Sequence, residues 1–273
     1  MERRHLAECG STNTEALQHL REGGGPLLVS ASRQTAGRGR LGRPWLSGQG
    51  GEGGEGDSLT FSVALPLPAS LDLSGLSLAV GCTVADALDP AGLRIRLKWP
   101  NDLFLDGAKL GGILIETLPL AHGRPQGCAA PSPPPEGVKQ TKGGPSFASD
   151  RRGVVIGIGL NIQPLPPDAD RSAFASGHAA LQTLDPAATA ASTTELLAPA
   201  LQAMLARFET QGFAPWQAAF TRRDLASGQR VRVGQQAGVA RGVSARGELL
   251  LQTPTGLAPM MGGELTLRLE IAP

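Results

Sequence analysis

The stretch Arg33-Gln34-Thr35-Ala36-Gly37-Arg38-Gly39-Arg40-Leu41-Gly42-Arg43-Pro44-Trp45 decides which kind of α/β architecture this chain can adopt. Gly37, Gly39 and Gly42 meet the Gly-x-Gly-x-x-Gly spacing of a dinucleotide-binding turn, which requires a strand before the glycines and a helix after them. A strand is predicted upstream at Leu27–Ser32, but Pro44 and the glycine-rich run from Ser47 to Ser58 follow, and that run cannot be a helix. No Gly-Lys-Ser/Thr follows either, which removes a Walker-type phosphate loop. What remains is a glycine–arginine loop. Glycine lets a backbone come close to a ligand, arginine grips phosphate or carboxylate through two parallel bonds, and Trp45 offers a face to a flat ring. The composition predicts a loop that closes over an anionic ligand. The competing reading is a mobile surface loop with solvated arginines.

Before this loop, a short strand is predicted at Arg3–Glu8. Thr12 and Glu15 fit a capping box, so a helix follows that buries Ala16, Leu17 and Leu20 and ends near Gly23. Its start presents free backbone N–H donors beside Ser11-Thr12-Asn13. After the loop, Gln49–Asp57 is a glycine–acid insert with nothing to bury and is predicted disordered. Leu59, Phe61, Val63 and Leu65 alternate as in a half-buried strand. Leu76, Val80, Val84 and Leu88 recur every four residues and mark a packed helix. Ile95–Trp99 reads as a strand broken at Pro100-Asn101-Asp102. Leu103–Leu105 then pairs with Lys109–Glu116 through Asp106-Gly107, a hairpin signal. Pro119–Asp150, rich in Pro, Gly and Ser, is predicted as a long disordered insertion between strands. Val154–Leu160 is the next strand, closed by Asn161. Ser192 and Glu195 fit a second capping box, opening a helix with Leu197, Leu201, Leu205 and Phe208 on one face and Gly212 at its end. Pro215–Arg222 reads as a shorter helix. Beyond Leu225, alternating runs at Val231–Val233, Val239–Val243, Leu249–Leu251 and Leu265–Leu269 lie between glycine turns, the pattern of a small antiparallel barrel of about 50 residues.

The 273 residues suffice for one sizeable core and a small second domain. Lys and Arg number 25 against 24 Asp and Glu, so the arginine loop is a local feature and the chain is no general binder of nucleic acid or membrane surfaces. Cys9, Cys82 and Cys128 are too few and scattered for a disulfide framework, and His5, His19, His122 and His178 are too far apart to suggest a metal site. No apolar stretch approaches a membrane span. Met1–Gly10 lacks the apolar region of a secretory signal, so a cytoplasmic location is expected.

Five segments carry polar residues or glycines where a plain scaffold would not: Ser11-Thr12-Asn13, the arginine–glycine loop, Lys98-Trp99-Pro100-Asn101-Asp102, Lys109-Leu110-Gly111-Gly112-Ile113-Leu114, and Gly157-Ile158-Gly159-Leu160-Asn161. In this order, and with Met261-Gly262-Gly263-Glu264 near the end, the set resembles the biotin protein ligases over nearly the whole chain. The resemblance implies an α+β fold: a mixed β-sheet with helices, related to the class II aminoacyl-tRNA synthetase core, at 1–222, then an SH3-like β-barrel at 223–273. It implies that biotin and Mg2+-ATP form biotinyl-5′-AMP, and that the biotinyl group then passes to one lysine of a biotin carboxyl carrier protein domain, as in acetyl-CoA carboxylase or another biotin-dependent carboxylase. A homodimer is possible. The Ser11-Thr12-Asn13 motif comes so early that no DNA-binding segment, and no operator binding, is expected.

The same resemblance assigns roles. Arg40 and Lys109 sit where the carboxylate meets the α-phosphate and offset the charge that builds there. Asp102 orients the acceptor amine, takes its proton, helps hold magnesium, or is a turn-forming Asx residue; the magnesium ligands are not assigned. Ser11, Thr12, Asn13 and Gln34, with Arg38, Gly39 and Arg40, receive the ureido ring, while Gly112 and Gly157 let biotin lie against the strands. Trp45 stacks on adenine, and Arg43, Asn101 and Asn161, with Arg40 and Lys109, complete the ATP site. Two other readings compete. One is a lipoate or octanoate ligase or transferase, whose acyl chain would not require the Ser11/Thr12/Gln34 set. The other is a non-enzymatic ligand-binding adaptor, which would not need Lys109 and Arg40 together.

Overall fold

The computed structural model describes residues 1–45, 57–90, 92–120, 150–165, 176–263 and 265–267. Nearly all of the two predicted inserts, at 49–57 and 119–150, lies outside the described residues.

A seven-stranded mixed sheet forms the body, in the order β1-β2-β3-β7-β6-β5-β4. β1 (Glu2–Cys9) runs parallel to β2 (Leu27–Gln34) because α1 (Thr12–Arg21) carries the chain back between them. Every other pair is antiparallel: β2 with β3 (Ser58–Pro68), β3 with β7 (Arg151–Asn161), β7 with β6 (Ala108–Pro119), β6 with β5 (Asp102–Leu105), and β5 with β4 (Ile95–Lys98). The Asp106-Gly107 turn forms as expected, with both residues at positive φ (50° and 85°), the geometry that matches the twist of a two-residue hairpin.

Strand alternation sorts the sheet into two faces. Phe61, Val63, Ile156, Ile158 and Ile113 pack under α2 (Leu76–Leu88) and α3 (Ala190–Gln211). On the opposite face Ala16, Leu17 and Leu20 of α1 cover Leu27, Val29, Ala64, Val155 and Leu118. Beyond the start of α1 the residues on this second face shrink to Thr60, Ser62, Gly157, Gly159 and Gly112, which leaves a hollow. β3 is therefore buried on both faces rather than half-buried: Thr60 and Ser62 are only 3% and 0% exposed.

Both predicted capping boxes are corrected. Ser11 is the cap residue of α1 and makes no side-chain cap bond, while Thr12, now inside the helix, turns its hydroxyl to Gln34 rather than capping. α3 starts three residues earlier than expected: Thr189 accepts from Ser192 N, and Ser192 returns the bond to Thr189 N, so Ser192 is the third helical residue and not the cap.

After α4 (Gln217–Arg223) comes a five-stranded antiparallel sheet, ordered β11-β10-β9-β8-β12. Its strands are β8 (Arg230–Val233), β9 (Gln236–Val243), β10 (Leu249–Thr253), β11 (Gly256–Met260) and β12 (Leu265–Leu267). β11 was not anticipated, since Pro259 and three partly exposed positions hide its pattern. Val231, Val233, Ala240, Val243 and Leu251 join the same apolar core as α2 and α3. Polar ties fix the junction: Trp99 Nε1 donates to Gly247 O at 3.1 Å, and Gln217 Nε2 to Val243 O at 2.7 Å. Arg223, 4% exposed, spends its guanidinium on Asp86 and on the carbonyls of Asp89 and Ile95 at 2.8–3.0 Å, the full pairing a buried cation requires.

Candidate active site

A cavity of about 770 Å³ occupies the hollow on the sheet face beside α1. All the residues singled out in the sequence line it: Ser11, Thr12, Asn13, Gln34, Arg38, Gly39, Arg40, Arg43, Trp45, Asn101, Asp102, Lys109, Gly112, Gly157 and Asn161. Five separate segments thus converge on one space whose two ends differ in chemistry.

One end is rich in oxygen, and its cation, Arg38, is paired with Glu116. Thr12 donates to Gln34 Oε1 from its backbone N (2.7 Å) and from its hydroxyl (3.2 Å). The Ser62 hydroxyl lies 2.8 Å from Thr12 Oγ1 and 2.6 Å from Asn13 Oδ1. Asn13 Nδ2 donates to Glu116 Oε2 at 2.7 Å. Arg38 grips the same carboxylate through Nη2, at 3.1 and 3.0 Å, and donates to Thr14 Oγ1 through Nη1 at 2.8 Å. The missing side chain of Gly157, which lines the cavity, also leaves the space in which the Asn13 amide lies.

The arginine loop is a small hairpin rather than an open coil. Trp45 N donates to Gly37 O at 2.9 Å and Gly39 N to Arg43 O at 2.7 Å, while Arg38 and Pro44 form an antiparallel bridge. Leu41 (φ 57°) and Gly42 (φ 73°) make its tip, and Leu41 stands 78% exposed. A non-glycine residue in the left-handed region marks local strain. Trp45 lies across β7: a Cβ at Gly159 would fall 2.7 Å from its ring carbons. Its Nε1 is buried with no partner among the described residues.

The other end is cationic. Lys109 Nζ lies 2.9 Å from Asp102 Oδ1, the one acidic side chain among the described residues that line the cavity. The backbone of Lys109 is held as well. It donates to Ser176 O at 3.1 Å, and its carbonyl accepts from Ala179 N at 2.9 Å and from Asn161 Nδ2 at 3.2 Å. Asn161 Nδ2 also reaches Ala179 O at 3.0 Å, so this amide works as a brace for Lys109. Asn101 Nδ2 donates to Ile113 O, and Asn101 Oδ1 accepts from Arg40 Nη1 at 3.4 Å. Arg40 Nη1 also meets Gly263 O at 3.3 Å, which ties the loop to the small sheet. Arg43, exposed, follows the tip of the hairpin.

Sequence reading missed Ser62 and Glu116. Period-two alternation carries the signal for both: Glu116 follows Gly112 and Leu114 on the same face of β6, and Ser62 sits opposite Gly157 in the ladder. Neither Cys9 nor Cys82 lines the cavity. Burial, with Glu15 and Glu8 nearby, pushes the Cys9 thiol up to about 11, and burial pushes Cys82 up to about 12, so both stay protonated and unreactive. Cys128 lies outside the described residues. Among the described residues no three His, Cys, Asp or Glu side chains converge on a metal position, and no helix is long and apolar enough to cross a membrane.

Residues 8–127 match the model of the Biotin/lipoate A/B protein ligase family. The chain is 30% identical to the biotin–[acetyl-CoA-carboxylase] ligase of Paracoccus denitrificans, over 92% of this chain and 94% of that protein. It is 30% identical to the bifunctional ligase/repressor BirA of Escherichia coli, over 96% of this chain and 73% of that protein. Among solved structures it superposes on the biotin protein ligase of Aquifex aeolicus in complex with biotin and ATP with a TM-score of 0.68, at 23% identity, covering 98% of each chain.

Proposed function

Because this chain belongs to the biotin protein ligase family, we propose that its cavity binds biotin at the oxygen-rich end and the α-phosphate of ATP at the cationic end. The chain is an ATP-dependent biotin ligase. The biotin carboxylate attacks the α-phosphorus, the bond to the bridging oxygen breaks, and pyrophosphate leaves. An acceptor lysine amine then attacks the acyl carbon of biotinyl-5′-AMP, a proton leaves the amine, and AMP departs. The observation that carries the assignment is the polarity of the cavity, with Thr12, Asn13 and Gln34 at one end, backed by the buried Ser62 hydroxyl, and Lys109 and Arg40 at the other.

Two anions must meet in the first step, so fixed positive charge is the main contribution the protein can make. Lys109 is suited to it because its backbone is pinned from three directions and Asp102 holds its ammonium. Asp102 acts first as the orienter of Lys109; once the substrate phosphate takes that ammonium, the carboxylate becomes available to the incoming amine. Trp45 supplies the adenine face, Asn101 and Arg43 accompany the nucleotide, and Asn161 acts through Lys109. Among the described residues the donor set does not build a resident magnesium site, since Asp102 is the one acidic side chain lining the cavity and is already paired. Magnesium is therefore assigned to the ATP phosphates and enters as part of the substrate.

The acceptor is proposed to be a biotin carboxyl carrier domain of acetyl-CoA carboxylase or a related carboxylase, and the compartment the cytoplasm. Residues 1–222 form the proposed catalytic unit and 223–273 the SH3-like unit. A homodimer remains to be tested by solution mass. The lipoate reading loses support because a dithiolane gives the Thr12, Asn13 and Gln34 oxygens no partner.

ATP–pyrophosphate exchange tests the assignment. Exchange with biotin and none with lipoate, followed by one biotinyl mass increment on a carrier domain, is the expected result. Exchange with lipoate alone overturns it.

A further inference from the structure

We propose that Glu116 is a positioning residue that sets the hydrogen-bond polarity of the biotin-binding end, acting through Asn13 and Arg38. The inference rests on the ligase reading and deepens it.

Glu116 accepts from Asn13 Nδ2 at 2.7 Å and from Arg38 Nη2 at 3.0 and 3.1 Å. An ionised carboxylate only accepts. Asn13 must therefore present its NH2 to Glu116 and its carbonyl to Ser62. At the far side of the cluster, the backbone N–H of Thr12 fixes Gln34 Oε1 as an acceptor at 2.7 Å. Between these two carbonyl oxygens stand two hydroxyls, giving the run Gln34 Oε1, Thr12 Oγ1, Ser62 Oγ, Asn13 Oδ1 with spacings of 3.2, 2.8 and 2.6 Å. Three contacts thus share two hydroxyl protons, and one oxygen–oxygen contact has none. All three spacings lie in a part-buried or buried setting, where an unmatched lone pair is costly.

A ligand that brings N–H donors supplies what this run lacks. A cyclic urea does so; an alkyl or dithiolane head does not. The selectivity originates at Glu116, since nothing else in the run prevents the Asn13 amide from turning over. With Gln at 116 the side chain can offer its own NH2 to Asn13, the Asn13 amide can reverse, and its Nδ2 then donates to Ser62. The third proton is now internal, and the demand for a donor ligand disappears. Glu116 also anchors the first arm of the arginine hairpin through Arg38, while Arg40, just before the tip, reaches Asn101 Oδ1 and Gly263 O.

The experiment measures ATP–pyrophosphate exchange for wild type, Glu116→Gln, Glu116→Asp and Ser62→Ala, with biotin and with a biotin methylated at a ureido nitrogen. Glu116→Gln and Ser62→Ala are expected to raise KM for biotin about tenfold or more, with kcat and KM for ATP within about threefold of wild type. Both should narrow the preference for biotin over the methylated analogue. Glu116→Asp, which keeps an acceptor-only group, should retain more of that preference than Glu116→Gln. A purely structural role for Glu116 would lower thermal stability without changing the ratio between the two ligands. If wild type exchanges with biotin while both Glu116→Gln and Ser62→Ala keep its KM and its preference, the assignment is overturned and the ligase reading stands. If wild type does not exchange with biotin, both fall.

Discussion

Lys109 Nζ and Asp102 Oδ1, 2.9 Å apart, link the second residue of β6 to the first residue of β5 across a ladder whose register shifts between Leu103 and Phe104. The shift brings the two side chains together diagonally at the cationic end of the cavity. Lys109→Gln removes an ammonium fixed there by both backbone and side chain. It should lower the biotin-dependent exchange rate by about 10²- to 10³-fold, the usual cost of losing one fixed group at a developing negative charge. Asp102→Asn keeps the shape and loses the charge, so exchange should fall less than transfer from preformed biotinyl-5′-AMP. Equal losses in the two assays would contradict an orienting role that later serves the acceptor amine.

Arg40→Gly cuts the contacts of the hairpin with Asn101 Oδ1 and Gly263 O. The adenylate should then dissociate about tenfold faster or more and biotinylate lysines of unrelated proteins in solution, because a closed loop is what shields the mixed anhydride. Adenylate retention is read by filter binding and stray labelling by avidin blot. Wild-type retention would count against the loop as a lid.

Gly157→Ala and Gly159→Ala, two residues apart on β7, should separate the two substrates. A methyl at 157 displaces the Asn13 amide, and one at 159 strikes the Trp45 indole at 2.7 Å. KM for biotin should rise more in the first variant and KM for ATP more in the second, by about tenfold each. Parallel changes in both constants would show that the cavity does not have two separate ends.

Much of this site was legible in the sequence because its motifs are contiguous and each has a local cause. The Asp106-Gly107 turn, the arginine–glycine run and the lysine after the turn declare themselves over a few residues. Ser62 and Glu116 did not, because each belongs to a strand whose apolar positions draw the eye to the other face. The capping boxes failed for a related reason: Thr12 has the residue type and spacing of a cap, but a partner 22 residues away, Gln34, competes for its hydroxyl. β11 escaped because it lies at the edge of the small sheet, where burial imposes little alternation.

Asp224 gives a pH signature unrelated to chemistry. Burial raises its carboxyl from 3.8 to about 6, opposed by the Ala226 N–H and by Arg96, and its Oδ2 is buried without a partner among the described residues. The folded state therefore holds this proton more tightly than the unfolded chain. The stability it contributes is complete below pH 3.8 and is lost as pH rises through about 6. Wild type should lose on the order of 1–3 kcal/mol from this group over that window, and Asp224→Asn should flatten the slope. Urea denaturation at several pH values measures the difference. Parallel stability curves for the two proteins would refute the assignment.

The most direct test is the crystal structure of the chain with biotinyl-5′-AMP bound. The ureido nitrogens should lie about 3 Å from the oxygens of Thr12, Asn13 or Gln34, and the phosphate oxygens about 3 Å from Lys109 Nζ and the Arg40 guanidinium. A ligand bound the other way round, or a phosphate facing solvent while Lys109 stays closed on Asp102, would contradict the account.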